Sequence, residues 1–311
     1  MADEESTTTV VVAITANFGI AVAKGIAGAL SGSAAMIAEA AHSLADTTNE
    51  VLLLVAVKRS DRPADRRHPF GYGRERYFWT LLAAVGIFVG GGVFAVLQGL
   101  HELLAGGGEG GHWVLSYAVL GIAFVLESIS WLQARRQLRA DADRMKRDVR
   151  RQLFATTDPA ATTVFIEDSA ALIGLVLAGT GVALHQLTGQ RFWDSLASIA
   201  IGVLLTGAAY VLGRENRSLI IGEAADDRLV DAVRGDLTAY PEVSGVDEIL
   251  TMVMGRGEVL VAARIDIDDD MRGAAVEDLA RRMEREIADR HASVRHFFLD
   301  ITADGADNPA G

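Results

Sequence analysis

The chain contains no cysteine, which excludes disulfides, thiolate metal centres and cysteine nucleophiles together. Two hydrolase signatures are missing as well. Neither His-Glu-x-x-His nor Gly-x-Ser-x-Gly occurs, so the zinc-protease helix and the nucleophile elbow are not encoded. Positive charge is in deficit, with 29 Lys and Arg against 41 Asp and Glu and a formal net charge of −12. That balance argues against nucleic acid as a partner. Residues 1–9 lack a basic n-region and a small-residue cleavage pattern, so no cleavable secretory signal is expected.

What the chain has in quantity is long apolar runs. Up to about Gly213 it is rich in Ala, Val, Leu, Gly and Ile. Six segments are long enough to cross a bilayer, which takes roughly 20 helical residues: Thr8–Leu30, Ser33–Val57, Tyr77–Leu104, Trp113–Leu132, Ala160–Leu187 and Phe192–Leu212. The short link Ser31-Gly32-Ser33 makes the first two an antiparallel hairpin, and Gly106–Gly111 reads as a flexible loop. Basic residues crowd the loops after the second, fourth and sixth spans, from Lys58 to Arg76, Arg135 to Arg151, and at Arg214 and Arg217. The other loops hold only Arg191. The bias predicts an inner-membrane protein with both termini cytoplasmic.

After Glu223 the pattern changes to short, charged, amphipathic elements. A helix is predicted over Asp226–Tyr240, strands over Val246–Met254 and Val259–Ile267 with a turn at Gly255-Arg-Gly257, a helix over Ala274–Arg290 and a strand over Val294–Ile301. The fold class is therefore a polytopic α-helical membrane protein of six transmembrane helices with a C-terminal cytoplasmic α+β domain of order αββαβ. The expected domains are a transport domain over 1–215, the cytoplasmic domain over 216–303, and a disordered tail over 304–311.

The second span carries Glu39, His42, Asp46, Asn49 and Glu50. At 100° per residue the first four share one helix face and Glu50 lies beside them. Charge in a bilayer is costly, so such a stripe faces a protein interior and marks an ion or proton path. His42 and Asp46, four apart, stack an imidazole on a carboxylate, and both can bind one divalent cation. The fifth span adds Glu167 and Asp168. Asp168 lies roughly 14 Å and Asp46 roughly 18 Å from the cytoplasmic end, counted at 1.5 Å per residue. Both lie near the bilayer centre and can face each other, so that either His42, Asp46 and Asp168, with Glu167 or water, form one intramembrane cation site, or the two acids are unrelated and each has its own partner. Asn17 and Lys24 share a face of the first span. Lys24 either neutralises a carboxylate such as Glu39 or snorkels to the far surface. Asp65 and His68, in the turn-rich loop after the second span, form either a secondary metal site or a solvated helix-capping pair.

Taken together these residues resemble the cation diffusion facilitator family of divalent-metal/proton antiporters. The resemblance covers the six spans, the His-x-x-x-Asp of the second span, the loop Pro63-x-Asp65-x-x-His68-Pro-Phe-Gly71-x-Gly73 and the αββαβ domain, whose fold resembles metallochaperones. It implies a homodimer that exports Zn²⁺ or a related cation from the cytoplasm in exchange for protons, the cation being transported substrate and no prosthetic group being involved. It also implies a metal-ligating pair on the fifth span, of which Asp168 matches the second member while Val164 stands at the first. Glu167-Asp168 matches a subgroup that includes a mitochondrial branch. Tyr72 replaces a further loop histidine, and Asp247 and Asp300 fall where cytoplasmic zinc-cluster histidines would be. No tight zinc cluster is therefore expected in the tail, whose histidines are His291 and His296.

The expected activity is secondary active transport rather than catalysis. The ordinary histidine pKa of about 6.5 suits His42 to an exchange in which metal and proton compete. The alternatives are export of manganese, iron or cobalt by the same scheme, a membrane metal sensor, and an intramembrane metal-dependent hydrolase.

Overall fold

A computed structural model of the chain describes residues 2–105, 113–144, 159–268 and 270–302. Helix-forming apolar runs build α1 (Ala2–Ser31), α2 (Ala34–Ser60), α3 (Glu75–Gly86), α4 (Phe94–Ala105), α5 (Trp113–Arg144), α6 (Pro159–Thr188) and α7 (Phe192–Ile221). A π-helical stretch, Ile87–Val93, joins α3 to α4 without a break in the helical path. Proline stays out of the helix interiors. Pro63, Pro69 and Pro241 lie in loops or turns, and Pro159 opens α6, where its missing N–H costs nothing.

Four stretches are long and apolar enough to cross a membrane: Glu75–Leu104, Trp113–Ala140, Thr162–Thr188 and Phe192–Ile221. The helices α1 and α2 reach 30 and 27 residues. In α2 the apolar run is interrupted by Glu39, Asp46 and Glu50. All six expected spans fall on these helices, which extend past them. The fourth, expected to end at Leu132, continues to Arg144. The glycine loop Gly106–Gly111, Lys146 to Arg151 and the tail 304–311 lie outside the described residues.

The chain divides into two compact units, Met1–Arg59 with Glu75–Arg217, and Ser60–Arg74 with Ser218–Gly311. In the first unit Ala27, Met36, Ala95, Leu120, Leu175 and Leu205 belong to one buried cluster drawn from α1, α2, α4, α5, α6 and α7. Small residues let helices approach closely. A Cβ on Gly202 would stand 2.6 Å from Val96 Cγ2, and one on Gly92 would stand 2.7 Å from Thr206 Oγ1. The outer surface is apolar: Phe18, Val22, Ile26 and Leu30, spaced by four on α1, are each about half exposed. Such a face suits acyl chains rather than water. This unit is a helical membrane domain.

In the second unit, α8 (Asp227–Thr238), β1 (Val243–Gly255), β2 (Glu258–Ile267), α9 (Gly273–Arg290) and β3 (Val294–Thr302) follow the expected αββαβ order. The sheet order is β1-β2-β3, with β1 antiparallel and β3 parallel to β2. Alternate residues of β2, from Val259 to Ile267, are buried in one cluster with Val233 and Leu237 of α8 and Leu279, Met283 and Ile287 of α9. Asp226 caps α8 by accepting from the Arg228 amide at 3.1 Å. Gly257 turns the hairpin with φ +66°, a conformation that favours glycine.

The loop Ser60–Arg74 belongs to this unit. Its Phe70 ring lies edge-on to His296 at 5.2 Å and to Phe298 at 6.4 Å between centroids. Gly73 passes so near β1 that a Cβ would stand 2.7 Å from the Met254 carbonyl oxygen. Arg74 donates to the Ile220 carbonyl.

Candidate metal-binding cavity

The polar stripe of α2 is sequestered as its spacing predicts. Glu39, His42 and Asn49 are no more than 1% exposed. Each finds a neighbour on α1, α2 or α6 because those helices also carry their polar residues on inward faces. Asn17 donates to Glu50 Oε1 at 2.5 Å. Lys24, fully buried, donates to Glu39 Oε2 at 3.1 Å and to Ser43 Oγ at 2.7 Å. Of the two readings open for Lys24, neutralising Glu39 is the one observed. Glu39 Oε1 has no hydrogen-bond partner and presses on Gly174 of α6, where a Cβ would collide with it. Asn49 donates to both oxygens of Glu167, at 2.6 and 2.5 Å.

Between α1, α2, α5 and α6 lies a cavity of about 310 Å³. Asp46 and Glu50 of α2, Glu127 of α5, and Glu167 and Asp168 of α6 all line it, together with Asn17 and Asn49. Asp46 and Asp168, expected to face each other, line one space from different helices. Val164 lines the same cavity, so the position that lacks a ligand is nonetheless part of the wall. Oxygens Asp46 Oδ1, Glu50 Oε2, Asp168 Oδ2 and Asn49 Oδ1 are buried and accept no hydrogen bond. Unsatisfied acceptors in a low-dielectric interior are costly unless a proton or cation reaches them.

His42 is outside the lining of this cavity. Its Nδ1 stands 3.4 Å from Asp46 Oδ1, an ion-pair distance that lacks hydrogen-bond geometry, and neither ring nitrogen has a hydrogen-bond partner. Among the described residues, no three His, Asp or Glu side chains stand together as a formed metal cluster. The carboxylates surround a space instead of converging on a point. Like-charge repulsion favours that separation.

Glu127 was missed by the sequence reading. The available signal was its isolation, as the one acidic residue between Trp113 and Leu132, in a span where a charge needs a reason. It is positioned by the packing of α5 on α6, where Trp131 Nε1 donates to Ser169 Oγ at 2.9 Å and the Trp131 ring stacks on Phe165.

The secondary pair lies in the second unit. Asp65 Oδ1 accepts from the Arg67 and His68 amides at 2.8 and 2.7 Å, and Oδ2 accepts from the Tyr72 hydroxyl at 2.8 Å. The His68 and Asp65 side chains are 3.7 Å apart, and His68 lies against the Tyr72 ring. These bonds, led by the His68 amide, hold the Asp65 carboxyl below its ordinary pKa and raise the Tyr72 hydroxyl. Both Asp65 oxygens therefore serve the turn. In the sheet domain His291 pairs with Asp236 at 2.7 Å, and Arg264 donates to Asp300 at 2.9 Å.

Comparison with known proteins agrees with this architecture. Residues 10–221 match the model of the cation efflux transmembrane domain. The chain is 32% identical over 256 residues to metal tolerance protein C4 of Arabidopsis thaliana, covering 82% of this chain and 55% of that protein. It is 31% identical over 239 residues to the mitochondrial proton-coupled zinc antiporter SLC30A9 of Homo sapiens, covering 76% of this chain and 42% of that protein. The magnetosome protein MamB of Magnetospira sp. (strain QH-2) is 27% identical over 287 residues, 92% of this chain and 91% of its own length. The chain thus spans about half the length of the plant and animal relatives. With its transmembrane domain matched from the first helix to the end of α7, the chain belongs to the cation efflux family.

Proposed function

We propose that this protein exports a divalent cation, zinc in the first place, from the cytoplasm in exchange for protons. The observation that carries the reading is the cavity whose wall Asp46, Glu50, Glu127, Glu167 and Asp168 line from three membrane helices. Carboxylates grouped around one interior space favour positive charge there, which either a divalent cation or protons on the same oxygens can supply. Metal and proton therefore exclude one another there, which is the chemistry of an antiporter. In this reading Asp46 and Asp168 bind the cation, Glu167 supports them, and His42 joins through its contact with Asp46. Zinc is supported by a relative named for proton-coupled zinc antiport. The six spans built by α1 to α7, α3 and α4 together making one, cross the inner membrane with both termini cytoplasmic, a reading supported by the basic loops. Residues 1–215 then form the transport domain and residues 216–303 a cytoplasmic domain that pairs two copies of the chain.

A second reading, export of manganese, iron or cobalt, is favoured by one feature: the polar groups on the cavity wall are carboxylates, amides and the hydroxyls of Ser43 and Ser130, without His42. Oxygen-rich sites suit those cations. The test is uptake into proteoliposomes under an imposed pH gradient, with Zn²⁺, Mn²⁺, Co²⁺ and Fe²⁺ compared in parallel. Asp46→Asn and Asp168→Asn are expected to reduce uptake of the preferred cation by about 100-fold or more, the scale at which essential metal ligands act. Wild-type rates in both variants overturn the site, and a pH-independent flux overturns the exchange.

A further inference from the structure

Val164 leaves the fifth span one ligand short, and the cavity shows where a replacement stands. The carboxylates on its wall differ in what already holds them. Asn17 donates to Glu50 at 2.5 Å, and Asn49 donates to both oxygens of Glu167. Asp46, Glu127 and Asp168 receive no amide of this kind. They come from α2, α5 and α6, one from each helix, and line the same 310 Å³ space as Val164.

A group of acids alone defines no site. Here an independent feature points to a cation: Asn49, only 1% exposed, lines the cavity with its Oδ1 facing no donor. Its amide nitrogen is committed to Glu167, and its oxygen is left without a hydrogen bond. Asp46 Oδ1 and Asp168 Oδ2 are likewise buried without a hydrogen bond. Ser130 donates to Asp168, yet unbonded acceptor oxygens remain on several sides of one space, an arrangement that suits an oxygen-binding cation.

We propose that Glu127 of the fourth span is a direct ligand of the transported cation, supplying with Asp46 and Asp168 the donor that Val164 cannot. This rests on the cavity being the transport site, and it specifies the substrate as a divalent ion that accepts a predominantly carboxylate shell. Three carboxylates leave a net negative site around a divalent ion, so one of them carries a proton or a neighbouring positive charge balances it.

The test uses full-length protein in proteoliposomes with Zn²⁺, Mn²⁺ and Co²⁺ as the probes. Glu127→Gln keeps the shape and removes the charge. It is expected to raise KM for the preferred cation by about tenfold or more, with a matching loss in equilibrium binding by calorimetry. A KM within about twofold of wild type for all three cations overturns the assignment. Asp46→Asn is measured alongside. If it too leaves KM unchanged, the cavity reading itself has failed; if it abolishes uptake while Glu127→Gln does not, only the role of Glu127 has. Should Glu127→Gln fail to fold, Glu127→Asp carries the test. It keeps the charge on a shorter arm, and its expected signature is a changed ratio of Zn²⁺ to Mn²⁺ KM, an unchanged ratio being the overturning result.

Discussion

Lys24 and Glu39 present the simplest energetic case in the molecule, since both are fully buried and one answers the other at 3.1 Å. Removing a single partner from such a pair leaves an uncompensated interior charge, at a cost of about 3–5 kcal/mol, whereas replacing both with apolar groups is often neutral. Lys24→Met is therefore expected to lower the melting temperature of the purified protein sharply. The double variant Lys24→Met with Glu39→Leu should recover most of that loss. Thermal unfolding of all three proteins in one detergent checks this, and a double variant no better than the single one removes the ion pair from the account. Glu39 illustrates how residue identity passes into packing: its Oε1 occupies the space that any side chain at Gly174 would take.

At the scale of helices, glycine separates close contact from mere propensity. Within α7, Gly202 lies against Val96 and the Gly92 carbonyl, where a Cβ would stand 2.6 and 2.7 Å away, whereas Gly207 has nothing within 4 Å. The same substitution should then have opposite effects one and a half turns apart. Gly202→Ala forces α4 and α7 apart and is expected to destabilise by about 1–3 kcal/mol. Gly207→Ala gains helix propensity, up to about 1 kcal/mol, and is expected to leave stability unchanged or raised. Paired melting curves decide it. The π-helical segment Ile87–Val93 lies on the same seam, with Gly91 against Leu205 and Gly92 against Thr206.

For the molecule as a whole, the two compact units are not two consecutive pieces of chain. Residues 60–74 leave the helical unit, belong to the unit of the C-terminal sheet, and lead back at Glu75. Asp65 organises that loop through its bonds to the His68 and Arg67 amides and the Tyr72 hydroxyl, and its carboxyl is held below the ordinary value of about 3.9. The sign of the linkage follows. A depressed carboxylate contributes its stabilisation above the ordinary pKa and loses it as pH falls through the depressed one. Amide exchange in residues 65–73 is thus expected to be protected from neutral pH down to about 4, after allowance for the intrinsic pH dependence of exchange, and to lose protection below. Asp65→Ala should be unprotected throughout. Protection that persists in the variant would show that Phe70 packing alone orders the loop.

Much of this architecture was legible in the residues. Apolar runs marked the six long helices, period-two alternation marked β2, and Asp226 and the Gly255–Gly257 turn marked element ends, because each is a local consequence of hydrophobic spacing or backbone freedom. The pairing of Asp46 with Asp168 was also legible, since helix rise converts sequence position into depth. Rotation about the helix axis was not. Depth says nothing about which side of α5 faces inward, so Glu127 went unseen, and it could not separate His42 from the cavity that its neighbour Asp46 lines. Composition and periodicity determined that this chain forms a helical membrane domain with an interior acidic stripe and an αββαβ unit. The tertiary structure alone decided which acids share a space, which are held by Asn17, Asn49 and Lys24, and that the Ser60–Arg74 loop joins the sheet, because these are contacts between residues far apart in sequence that only packing brings together.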